Sequence, residues 1–92
     1  SSNYAAFKEK NIICPPVFIA PSAHIENSII GPSTTIGEEV HIEGCITHDS
    51  IIGDKAHVEN ALLRRSIIGR ETSIKGAFKR LNISDKSEIS FD

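Results

Sequence analysis

Aliphatic residues recur along the chain every five or six positions. These anchors are Ile13, Ile19, Ile25, Ile30, Ile36, Ile42, Thr47, Ile52, Val58, Leu63, Ile68 and Ile74, and after a break Ile83 and Ile89. Strand side chains alternate faces, so the residue two before each anchor shares its side. Those positions hold Val17, Ala23, Ser28, Thr34, Val40, Cys45, Ser50, Ala56, Ala61, Ser66 and Thr72, then Leu81 and Ser87. All are small or aliphatic and none is charged. Asn11, ahead of Ile13, does not fit. The pattern predicts a series of short strands, each turning one bulky and one small side chain inward.

A longer period lies over this one. Ser-Ile-Ile-Gly occurs three times, at 28–31, 50–53 and 66–69. Ile19-Ala20, Ile36-Gly37, Ile52-Gly53, Ile68-Gly69 and Ile83-Ser84 follow one another at 17, 16, 16 and 15 residues. Ala23-His24-Ile25-Glu26, Val40-His41-Ile42-Glu43 and Ala56-His57-Val58-Glu59 repeat at 17 and 16. Three series sharing one period are an internal repeat. Three anchor steps fill one period, which predicts a triangular prism with three short strands per turn. Gly31, Gly37, Gly53 and Gly69 fall near its corners, where left-handed backbone is expected.

The ends differ. Tyr4 to Lys10 reads as a short helix or linker, and Cys14-Pro15-Pro16 cannot continue a helix. Residues 1–12 are therefore expected to be a linker or short helix left from an upstream domain, and 13–92 the prism. Phe78-Lys79-Arg80 stands where an anchor is due. This predicts a protruding loop over 76–80, with Phe78 and Phe91 covering the lower end.

Composition supports strands. The chain has 16 Ile against 3 Leu and 3 Val, and β-branched side chains favour a pleated surface over a helical bundle. A compact domain of this size buries only about 60% of its unfolded surface, so stacking or an oligomer is expected. The absence of Met reads as a piece of a longer polypeptide. A net charge of −2 with no basic block argues against nucleic acid as a partner. No apolar run approaches the roughly 18 residues of a membrane span, and no signal peptide is visible. Cys14 and Cys45 match no metal or redox spacing, and free thiols in a cytoplasmic chain are expected.

An aliphatic residue, often Gly, then four positions with a small residue among them is the hexapeptide-repeat signature. It resembles the left-handed parallel β-helix, and the left hand is implied by that resemblance alone. The expected fold is all-β, a single-stranded left-handed parallel β-helix of about four to five triangular turns. The run Ile13-Cys14-Pro15-Pro16-Val17-Phe18-Ile19, the stretch Ile25 to Pro32 and Ile36-Gly37 narrow the likeness. They resemble the C-terminal domain of long-form sugar-phosphate nucleotidylyltransferases of the glucose-1-phosphate thymidylyltransferase kind, as does the closing run Lys75 to Ile89. The resemblance implies a parent enzyme that joins a nucleoside triphosphate and a sugar 1-phosphate, with Mg²⁺ assisting and pyrophosphate leaving. It places catalysis in an N-terminal domain whose Gly-rich loop and Lys-Pro pair are absent here. No catalytic, cofactor-binding or metal-binding residue carries over to this chain.

Several residues still invite a chemical reading. His24, His41 and His57 precede anchors one turn apart and should stack as an outward ladder, with Glu26, Glu43 and Glu59 beside them. Imidazole is a common Zn²⁺ ligand. The His-x4-His spacing of γ-class carbonic anhydrases is absent, however, and a solvated polar face is the plainer expectation. His48 beside Asp49 is the best candidate for the general base of a hexapeptide acyltransferase, and it is set against an ordinary exposed corner. Asp49, Asp54 and Glu38 are expected at solvated corners in different turns. Arg64-Arg65 is expected as surface or interface charge, and Asn82-Ile83-Ser84 as a sequon without meaning. Cys45 should be inert packing, and Cys14 partly exposed.

Ile29, Ile46, Ile51, Leu62 and Ile67 immediately precede anchors, so they should point outward. That much exposed aliphatic surface predicts a homo-oligomer, a trimer or dimer, or contact with an upstream catalytic domain. Three function classes follow: an oligomerising domain of a sugar-nucleotide-forming enzyme, an acyltransferase module, and a γ-carbonic-anhydrase-like metal protein.

Overall fold

The structure, a computed structural model, describes residues 4–77. A 3-10 helix, Tyr4–Phe7, precedes the first strand. The first turn comprises β1 (Ile12–Ile13), β2 (Val17–Ile19) and β3 (His24–Glu26). The second comprises β4 (Ile29–Ile30), β5 (Thr34–Ile36) and β6 (His41–Glu43). The third holds β7 (Ile46–His48), β8 (Ile51–Ile52) and β9 (His57–Glu59), and the fourth β10 (Leu62–Arg64), β11 (Ile67–Ile68) and β12 (Ser73–Lys75). Each strand pairs in parallel with its counterpart one turn away. Three four-stranded sheets result, β1-β4-β7-β10, β2-β5-β8-β11 and β3-β6-β9-β12. They form the first, second and third faces of a triangular β-solenoid of about four turns.

Register stacks like on like. On the second face Ile19, Ile36, Ile52 and Ile68 lie one above another. Ile19, Ile30, Ile36, Ile42, Ile52 and Val58 are fully buried, and each contributes about 1.5–3 kcal/mol. The predicted inward partners are buried too, including Ala23, Ser28, Thr34, Val40, Cys45, Ser50, Ala56 and Ala61. Small polar residues work at this position because their hydroxyls serve the backbone. Ser28 Oγ donates to the Glu26 carbonyl at 2.9 Å and accepts the Cys45 amide at 3.0 Å. Ser50 repeats this with the His48 carbonyl and the Ser66 amide.

Two expectations need correction. Asn11 was set apart as breaking the pattern, yet it is buried at the top of the prism. Its amide donates to the carbonyls of Phe7 and Ile25, and its Oδ1 accepts the Ser28 amide at 3.0 Å. It does for the first turn what Ser28 does for the next, while tying down the helix. The glycines are the second correction. Of Gly31, Gly37, Gly53 and Gly69, only Gly31 is left-handed (φ 97°). The corners instead bend at Asn27, Ser33, Glu39, Asp49, Lys55, Asn60, Arg65 and Glu71, with φ between 52° and 63°, and at Gly44. Each non-glycine corner costs about 1–2 kcal/mol. Hydrogen bonds to the turn above offset this, such as Lys55 N to the Glu38 carbonyl at 2.8 Å and Glu71 N to the Asp54 carbonyl at 2.9 Å. Gly37 and Gly53 serve close approach: a Cβ on Gly53 would sit 2.9 Å from the Arg70 nitrogen and 3.0 Å from the Ile68 oxygen.

At the lower end Gly76 still follows the solenoid, its amide donating to the Glu59 carbonyl at 2.7 Å. The rest of the predicted loop, the covering role of Phe78 and Phe91, and the strands expected at Ile83 and Ile89 lie outside the described residues.

Thr47 is the polar exception among the anchors. It is fully buried, and among the described residues its hydroxyl finds no partner. Thr47→Val should therefore raise stability by about 1 kcal/mol, seen as a higher urea midpoint at unchanged slope. Gly53→Ala should lower the midpoint, costing about 1–3 kcal/mol through backbone collision.

Candidate functional site

The three faces have different chemistry because each stacks one kind of outward residue. On the third face His24, His41 and His57 form the expected ladder. Their ring centroids are 5.5 and 4.9 Å apart, with interplanar angles of 24° and 9°. Glu26, Glu43 and Glu59 stack beside them, with Lys75 on the fourth rung. Like charges stacked this closely repel, and each carboxylate has its own partner. Lys10 Nζ lies 3.3 Å from Glu26, Asn27 donates to Glu43 at 3.0 Å, and His57 Nε2 is 2.9 Å from Glu59. The hydrogen bond from His57 holds the Glu59 carboxyl below its ordinary value.

Imidazole lone pairs lie in the ring plane. In a near-parallel stack they run side by side and do not converge on a point. Among the described residues no three His, Cys, Asp or Glu side chains are placed to share a metal ion.

His48 ends β7 and so belongs to the strand; the corner itself is Asp49. His48 Nδ1 lies 3.2 Å from Asp49 Oδ2, the arrangement that orients an imidazole for proton transfer. Arg64 lies in register one turn below His48, and the Arg65 amide donates to the His48 carbonyl. Both arginines are exposed. The structure thus brings His48, Asp49, Arg64 and Arg65 to one edge. Asp54 and Glu38 do not join them. Asp54 Oδ1 accepts the Glu38 amide at 2.9 Å, and the Glu38 carboxylate accepts the Ser22 hydroxyl, so both stitch adjacent turns together at another corner. Cys45 is buried, and burial pushes its thiol up, which suits inert packing; Cys14 is half-buried. The sequon at Asn82 lies outside the described residues.

The largest chemical feature is apolar. Ile12, Ile29, Ile46 and Leu62 form one outward column on the first face. Phe18, Thr35, Ile51 and Ile67 form another on the second. Phe18, Ile51, Leu62 and Ile67 are 59%, 52%, 55% and 80% exposed. Ile12 and Phe18 were absent from the expected outward set. Both immediately precede anchors, so the rule that identified the others also finds them.

Residues 13–87 match the sequence model of a family described as the GMPPB C-terminal domain. No curated protein and no solved structure matches the chain.

The His57–Glu59 contact sets a direction for pH. Glu59 titrates lower in the folded chain than its ordinary 4.5. Its contribution to stability is therefore complete above that value and is lost as pH falls through the folded value. In a carboxyl-carbon NMR titration, His57→Ala should move the Glu59 midpoint upward.

Proposed function

The chain belongs to the GMPPB C-terminal domain family, the C-terminal domain of a sugar nucleotidyltransferase, and on that premise we propose that it supports and oligomerises an enzyme that forms GDP-mannose. The observation that carries this is the match over residues 13–87. GMPPB denotes GDP-mannose pyrophosphorylase B, so the family differs from the glucose-1-phosphate thymidylyltransferases that the sequence resembled, while the kind of domain is the same.

In the proposed reaction, a phosphate oxygen of mannose 1-phosphate attacks the α-phosphorus of GTP. The bond between the α-phosphorus and its bridging oxygen breaks, and pyrophosphate leaves. An upstream cytoplasmic domain holds the Mg²⁺ and performs this step; this chain supplies no group to it. Its part is architectural. Two faces with exposed aliphatic columns support that reading, because a lone monomer rarely leaves so much apolar surface in water.

Pyrophosphate release tests the proposal. The polypeptide that carries this domain should release pyrophosphate from GTP with mannose 1-phosphate and Mg²⁺, and the 92-residue chain alone should release none. Preference for dTTP with glucose 1-phosphate would restore the thymidylyltransferase reading. Acetyl-coenzyme A turnover by the chain alone, lost in His48→Ala, would replace the architectural role with an acyltransferase one.

A further inference from the structure

The outward residues of the second face form a ridge and a furrow. The ridge is Phe18, Thr35, Ile51 and Ile67. On the far side of the anchors lies a column with almost no side chains, Ala20, Gly37, Gly53 and Gly69. The ridge is next to the corners at Ser33, Asp49 and Arg65; the furrow is next to those at Glu39, Lys55 and Glu71.

We propose that this face is the self-association surface. A second copy packs on it about a two-fold axis that lies in the interface, parallel to the prism axis. The inference rests on the oligomerising role proposed above and names the face and the symmetry. The operation keeps turns level and reverses left and right across the face. Each ridge residue then meets the furrow of the same turn, Ile51 over Gly53 of the second copy and Ile67 over Gly69. Corners exchange in the same way. Asp49 meets Lys55 of the second copy, and Arg65 meets Glu71. Both contacts join opposite charges, and the symmetry makes each of them twice; of the charges beside them, Asp54 is engaged by the Glu38 amide, and Arg70, next to Glu71, comes near Arg65 as a like charge. All four side chains are exposed, and among the described residues Lys55, Arg65 and Glu71 have no ion-pair partner of their own.

Alternatives fit worse. An antiparallel two-fold puts ridge against ridge and no longer brings Asp49 to Lys55. The first face under the parallel operation sets Leu62 against Arg64, and its other corners are Asn27, Gly44 and Asn60, which offer no charge to Asp49 or Arg65. The first face is thus left for the upstream domain. Four turns about 4.8 Å apart give a face that buries roughly 800–1,000 Å² over both copies, below the roughly 1,200 Å² of stable interfaces and within the range of weak, transient ones. The dimer is accordingly weak alone, and its charge pairs fix register more than affinity.

Sedimentation equilibrium of the full chain tests this, with circular dichroism confirming each variant's fold. The chain should dimerise. Ile67→Glu should weaken the dimer by about 30-fold or more, and Leu62→Glu on the first face should leave it unchanged. Asp49→Lys and Lys55→Asp should each weaken it about tenfold, and the double variant should return to within about threefold of the parent. If Ile67→Glu does not fold, the corner exchanges decide alone, since both positions are exposed. Loss of the dimer in Leu62→Glu but not Ile67→Glu overturns the choice of face and keeps the oligomerising role. A double variant as weak as the sum of the singles overturns the parallel two-fold. A chain that stays monomeric to about 1 mM overturns the oligomerising role itself.

Discussion

Every strand among the described residues is hydrogen-bonded to a copy of its own motif one turn away. Backbone amides and carbonyls cannot be left unpaired inside a fold, and here strands two or three residues long satisfy them only by stacking in parallel. The condition is severe. Each turn must have nearly the same length, bend at the same places and present the same side chains at the same heights. The 16- to 17-residue period is that condition written into the sequence. The αL corners and the inward serines are its local consequences. A corner amide that reaches the turn above fixes the bend, and a serine hydroxyl that accepts an amide one turn on fixes the spacing.

The same condition explains why so much of the fold was legible. An inward anchor such as Ile36 has an aliphatic neighbour in register on each side, Ile19 and Ile52, so its identity is constrained by position in the period. Alternation then fixes what faces outward. The histidine ladder and most of the apolar columns followed from this rule with no knowledge of contacts. Legibility failed where a residue's role is not periodic. Asn11 sits at an end, where the bond it makes to Phe7 ties down the helix and has no counterpart below among the described residues. Glycine misled for a different reason. A small residue near a bend answers equally to a left-handed backbone or to a neighbour pressing close, and sequence does not separate the two. Gly31 answers to both and Gly53 to the second alone.

The candidate chemistry was less legible than the fold. Sequence placed His48 beside Asp49, but the approach of Arg64 and Arg65 depends on register between turns. It also placed three histidines in one column without giving the ring planes, and ring planes decide whether lone pairs converge. In both cases the missing quantity is an angle or a distance between turns. Composition and spacing along one turn do not contain it.

The partition of outward residues among three faces has a consequence for how such a domain changes over generations. Inward positions are bound to one another by packing, so a change in one is felt by its neighbours. Outward positions on different faces share no contact, so a substitution on the histidine face leaves the apolar columns untouched. Selection can then act on three surfaces as three nearly independent traits. One prism can keep its assembly contact fixed while another side acquires or loses a partner, without passing through an unfolded ancestor.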